Sequence, residues 1–208
     1  KIVTMRDKLT SNILIATFFL VGGISYVPLI TFMDTLIGSG VSNRIVLATI
    51  YSALFLVTPV FLLGQTIPLV SNYFRREKLA QITGKILFFS TIGSFLGATF
   101  ATLVLMATVG VHYTAALNFV LLAILFFLLG RRKPVWMKAA MVSLAALGVA
   151  FNAGPVLKSL GVVNNNQYNV IRIFESPDGQ TRVMSLNHNQ DSRYNPDTNL
   201  KHDYVNFI

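Results

Sequence analysis

Few side chains in this sequence are equipped for chemistry. It contains no Cys, so thiolate nucleophiles, thiolate metal sites and disulfides are excluded. Carboxylates that work as acid and base come in pairs held at short range. The acids near the carboxyl end, Asp191, Asp197 and Asp203, lack a paired, strand-end setting and read as solvated or capping groups. Within otherwise apolar stretches stand Gln65, His112, Asn118 and Asn152. An amide in such a stretch reads as a hydrogen bond between helices, worth about 0.6–2 kcal/mol, rather than as a substrate ligand. His112 falls at an expected helix end and reads as a headgroup contact rather than a proton relay. No catalytic residue and no metal site follows from these residues.

The elements that would position them are membrane helices. The 17 Lys/Arg and 8 Asp/Glu avoid residues 9–33, 41–74 (Arg44 excepted), 86–130 and 139–157. An α-helix needs roughly 20 apolar residues to cross a hydrocarbon layer of about 30 Å, and each stretch approaches or exceeds that length. Residues 86–130 would make one helix of roughly 68 Å, so they must fold back, and Val109-Gly110-Val111-His112 is the expected break. The expected spans are therefore 11–33, 45–70, 86–108, 113–130 and 139–156. Together they make residues 1–158 an all-α polytopic bundle of about five transmembrane helices. The fifth is interrupted by Asn152, Gly154 and Pro155.

Charge orients the bundle. With alternate loops on alternate sides, eleven Lys/Arg face one side and only Arg44 and Lys158 the other. By the positive-inside rule the amino end and basic loops are cytoplasmic, and five crossings send the tail outside. The net charge of +9 is thus spent at helix ends facing lipid headgroups and does not point to nucleic acid. No Asp, Glu, Lys or Arg lies inside an expected span, which weighs against a proton-driven carrier. The third span carries small residues on one face, Ser90, Gly93, Ser94, Gly97, Ala98 and Ala101, a surface for helix packing within the chain or against a partner. Pro68 should bend the second span, because it cannot donate to the carbonyl one turn earlier.

Residues 159–208 read as a water-facing segment. Residues 169–175 and 180–186 alternate apolar and polar around Ser176-Pro177-Asp178-Gly179, the pattern of a β-hairpin with a type I turn. The Asn-rich stretch 187–195 reads as a connection. Pro196-Asp197-Thr198 then reads as a cap for a helix carrying Leu200, Tyr204, Phe207 and Ile208. A segment this small cannot enclose a core and must lean on the bundle, a partner or further sequence. With Lys1 first and no cleavable signal pattern, the chain reads as an interior piece of a longer polypeptide.

The order of motifs resembles a known family. Thr58-Pro59 through Leu62-Leu63-Gly64-Gln65-Thr66-Ile67-Pro68-Leu69, then Thr91-Ile92-Gly93-Ser94-Phe95-Leu96-Gly97 and Asn118, is similar to the transmembrane half of membrane-fused spermidine synthase-like proteins. Tyr168-Asn169-Val170-Ile171-Arg172-Ile173 with Leu186-Asn187 resembles the small β-domain that opens a spermidine synthase. The resemblance spans residues 45–208. It implies an aminopropyltransferase-like parent that uses decarboxylated S-adenosylmethionine, with Asn169, Gln190 and Tyr204 at positions that contact substrate. It also places the nucleotide turn and catalytic carboxylates in a following α/β domain, outside these residues. The expected role is an inner-membrane anchor and partner-binding domain without catalysis by itself. The alternatives are an active membrane-bound aminopropyltransferase completed beyond residue 208, a polyamine or other small-solute transporter, and an accessory subunit of a larger membrane complex.

Overall fold

The computed structural model describes residues 2–41, 43–71, 79–166, 168–175, 181–186, 189–195 and 200–201. Four helical stretches are long and apolar enough to cross a membrane: Met5–Ile24, Ile45–Ser71, Ala80–Thr108 and Val111–Leu129. The other two apolar helices, Tyr26–Gly38 and Val135–Phe151, are shorter, so four of the about five expected spans are of full crossing length and the last is not.

The corrections have local causes. The run expected over 11–33 is broken at Ser25, which is extended (φ −85°, ψ 140°), into α1 (Ile2–Ile24) and α2 (Tyr26–Gly38). Pro28 lacks the N–H that would reach the Ile24 carbonyl, and its ring would collide with that oxygen. The run expected over 139–156 divides into α9 (Val135–Phe151) and α10 (Gly154–Ser159), with Pro155 in the first turn of α10 where its missing N–H costs nothing. Between them the second stretch comprises α3 (Arg44–Tyr51), a π-helical turn (Ser52–Leu56), α4 (Val57–Gly64) and α5 (Thr66–Ser71). Asn43 caps α3 by accepting from the Ile45 and Val46 amides. The interruption at Gln65 stands three residues before Pro68. The third stretch runs as α6 (Leu79–Phe100), a π-helical turn (Ala101–Leu105) and α7 (Met106–Thr108). It ends at Gly110, from which α8 (Val111–Leu129) starts.

Helices α1, α8 and α9 pack around Ile13, Phe126, Met137 and Met141. Gly148 lets α9 close on α8: a Cβ there would stand 2.5 Å from the Phe119 ring, which is fully buried. At one end of the bundle Lys133 pairs with Asp7 (3.3 Å). At the other end the Asn152 Oδ1 accepts from the Tyr26 amide (3.1 Å). Helices α1 and α9 therefore run between the same two levels, although α9 has only 17 residues.

The carboxyl segment is a five-stranded antiparallel sheet in chain order: β1 (Val162–Asn165), β2 (Val170–Glu175), β3 (Arg182–Leu186), β4 (Asn189–Asn195) and β5 (Leu200–Lys201). The hairpin read from the alternation is present, with Glu175 opposite Arg182. Residues 176–180 and 196–199 lie outside the described residues, as do Tyr204, Phe207 and Ile208. Two readings are corrected. Most of the stretch taken as a connection is strand β4, and Leu200, placed on a helix, is in β5 opposite Asn195. Each follows from a neighbouring strand edge whose N–H and C=O groups need partners, a demand no local composition reveals. Tyr26, Ile30, Leu157 and Val162 form the apolar cluster that fixes the sheet to α2 and α10.

Asn152 is completely buried, donates to the Gly148 carbonyl (2.7 Å) and satisfies the Tyr26 amide freed by the break. Replacing it by Leu leaves that donor unpaired. Asn152→Leu should lower stability by about 1–3 kcal/mol in a reversible detergent-unfolding titration. Asn118→Leu removes only an in-helix bond to the Thr114 carbonyl at an exposed position and should shift stability by no more than about 0.5 kcal/mol.

Candidate functional site

Polar side chains converge where the sheet meets the bundle. Gly110 makes the turn between α7 and α8 with φ +90°, a conformation that side chains rarely adopt, and a Cβ there would lie 2.7 Å from the Asn165 Oδ1. The close approach brings β1 onto the start of α8. His112 Nδ1 lies 2.7 Å from that same oxygen. With the amide in this orientation its oxygen can only accept, so Nδ1 is the donor of the pair. Asn165 is 4% exposed. Its amide nitrogen is buried without a closed hydrogen bond, and the Tyr26 phenol is the polar group it meets.

Beside this pair lies a cavity of about 310 Å³. Thr108, His112, Tyr113, Lys158 and Asn164-Asn165-Asn166 supply its polar lining, and Met106, Val109, Leu157 and Val162 are among its apolar walls. Among the described residues no carboxylate lines it. A cationic amine would find no anion among them to hold it there. Among the described residues no group of three His, Asp or Glu forms a metal-ligand set.

The residues singled out from the sequence are dispersed. Asn169 is exposed at the turn from β1 to β2, where its amide and that of Tyr168 donate to the Asn166 side chain (2.9 Å each). Gln190 is in β4 opposite Ser185, which itself faces Arg172 in β2, and the Gln190 side chain lies outside the described residues. Tyr204 lies outside them altogether. Gln65 is tied to the bundle: its Oε1 accepts from Asn12 Nδ2 (3.1 Å), which also donates to the Leu62 carbonyl (3.2 Å). Gln65, Asn118 and Asn152 line neither the cavity beneath the sheet nor the groove between α8 and α9. On α6 the small residues Ser90, Gly93, Ser94, Gly97 and Ala98 are exposed, with nothing within 4 Å of a Cβ at Gly93 or Gly97. Ala101 begins the π-helical turn, which shifts the face it would continue.

Sequence reasoning missed Tyr26, Asn165 and Lys158. In a regular strand Asn165, three residues after Val162, would face the opposite side; the irregularity between Val162 and Asn164 turns both inward, and no local pattern announces it. No protein-family model, curated protein or solved structure matches this chain.

A double-mutant cycle checks the His112–Asn165 pair. His112→Ala, Asn165→Ala and the double variant should give a coupling energy of about 0.5–1.5 kcal/mol in detergent unfolding. Additive losses would mean that the 2.7 Å contact contributes nothing.

Proposed function

We propose that this chain is the membrane-embedded part of a spermidine synthase-like protein of a bacterial inner membrane. Its work is to anchor the protein and hold a β-sheet against the outer end of the bundle, without catalysis of its own. The observation that carries this reading is the shared pair of levels reached by α1 and α9. Lys133 meets Asp7 at one level and Asn152 meets Tyr26 at the other. A helix of 17 residues is about 26 Å long, within the range of a crossing, so α9 serves as a fifth span beside its longer neighbours.

Five crossings separate the two ends by charge. Arg6, Arg131, Arg132 and Lys133 surround one cavity at the Asp7 end, while the sheet leaves from the opposite end. The positive-inside bias then favours a cytoplasmic basic end and an outer sheet. S-adenosylmethionine is a cytoplasmic metabolite, and among the described residues the cavity beneath the sheet offers a cationic amine no carboxylate. Both considerations favour an anchor over an aminopropyltransferase site in these residues. The exposed small-residue face of α6 suits close packing against another transmembrane helix, which supports the partner-binding part of the reading. A meander of antiparallel strands is the kind of β-domain the motif resemblance implies, and it is the feature that favours the enzyme reading for a longer polypeptide. In that case decarboxylated S-adenosylmethionine would bind to the following domain.

The absence of Cys makes orientation directly measurable. Glu175→Cys in β2 should react with a membrane-impermeant maleimide in intact spheroplasts, and Arg132→Cys only after permeabilisation. The reverse pattern would put the sheet in the cytoplasm and overturn the anchor reading in favour of the enzyme. Release of methylthioadenosine from decarboxylated S-adenosylmethionine by the purified chain would do the same.

A further inference from the structure

Two cavities meet at Arg131, and they differ in character. One is a groove of about 840 Å³ between α8 and α9, running from Val120 to Leu128 on one helix and from Val142 to Ala150 on the other. Ala123, Ala145, Ala146 and Ala150 keep it open, Ile124 and Phe127 help to wall it, and Arg131 is its one charged lining residue. The other is a cavity of about 440 Å³ lined by Arg6, Arg131, Arg132 and Lys133 with Asp7. Among the described residues the one ion pair is Lys133–Asp7, which leaves the arginine side chains of this cavity without a carboxylate partner.

Their dimensions and charge fit a single molecule. From Val120 to Arg131 an α-helix rises about 16 Å, and half of a hydrocarbon layer of about 30 Å is about 15 Å. The groove is therefore one leaflet deep, and Arg131 stands where that leaflet's headgroups begin. An anionic headgroup among guanidinium groups gains charge-assisted hydrogen bonds, and a guanidinium suits phosphate geometry. A second transmembrane helix in the groove would instead have to cover Arg131 with nothing to neutralise it.

We infer that the α8–α9 groove and the adjoining basic cavity form a binding site for one anionic phospholipid. An acyl chain lies along Ala123, Ala146 and Ala150, and the headgroup phosphate sits against Arg131 and Arg132. The inference rests on the helices crossing a bilayer and not on the family reading, so it stands whichever side the sheet occupies.

The test is native mass spectrometry of the delipidated full chain in uncharged detergent, titrated with phosphatidylglycerol or phosphatidylcholine of identical acyl chains. Retained phosphatidylglycerol should exceed phosphatidylcholine by about tenfold, the order expected of a few basic groups beside an anionic headgroup. Arg131→Gln should remove most of that preference. Ala146→Leu, at an exposed position on α9, should abolish retention of both lipids while leaving the thermal unfolding midpoint unchanged. Equal retention of the two lipids by the unaltered chain overturns the proposal. Retention by Ala146→Leu that matches the unaltered chain overturns it as well. A dimer that Ala146→Leu converts to monomer would assign the groove to a protein helix and refute a lipid site. Should Ala146→Leu fail to fold, the lipid preference and its loss in Arg131→Gln decide the outcome.

Discussion

A backbone N–H or C=O left without a partner in hydrocarbon costs several kcal/mol, because no water is present to replace the lost hydrogen bond. Continuous helices meet this requirement by themselves, whereas a broken helix does not. The bundle breaks at Ser25, at Gln65 and at Gly110, and an asparagine from another element reaches each break. Asn152 of the α9 end accepts from the Tyr26 amide, and Asn12 of α1 donates to the Leu62 carbonyl and to Gln65. Asn165 of β1 meets His112, two residues after Gly110. The third break also helps itself, since Gly110 O accepts from both the amide and the hydroxyl of Thr114.

These asparagines join elements, and Asn152 and Asn12 also satisfy backbone groups at the breaks they reach. Asn152 ties the end of α9 to the start of α2, Asn12 ties α1 to the junction of α4 and α5, and Asn165 ties the sheet to α8. A side chain that serves a break can do so from only one place, so each pair fixes the level at which two helices pass. Dispersion and shape then finish the packing where lipid offers no hydrophobic incentive: the Phe119 ring lies against Gly148, and Ile13 packs with Phe126 and Met141. Among the described residues the α6 helix has no such partner along most of its length and presents apolar and small side chains outward.

The two ends of the bundle consequently differ in kind. The Asp7 end gathers arginines and Lys133 around open cavities, a setting for phosphate and anionic headgroups. The sheet end is closed by Tyr26, Ile30, Leu157 and Val162, with buried amides and a phenol beside them and the Arg172 guanidinium donating to the Leu160 carbonyl. Buried groups there are neutral donors and acceptors, which can be satisfied by one another at moderate cost, whereas a buried charge would require a counter-charge.

Much of this was legible in the chain itself. Membrane helices follow from the exclusion of Lys, Arg, Asp and Glu, because the cost of placing charge in hydrocarbon is a property of each residue and needs no neighbour. The fold-back at Gly110 and the hairpin of β2 with β3 are equally local, resting on a glycine conformation and on alternation around a turn. The break at Ser25 was legible too, through Pro28, although the even hydrophobicity of residues 9–33 concealed it. Tertiary structure alone decided what Asn12, Asn152 and Asn165 do, which face of α6 stays open, that residues 189–195 join a sheet, and that Arg131 links a groove to a basic cavity. Strand β4 pairs with its chain neighbours, but the others depend on atoms far off in the chain, up to 126 residues for the Tyr26–Asn152 bond, and a hydrogen bond or a cavity exists only once both sides have been brought together.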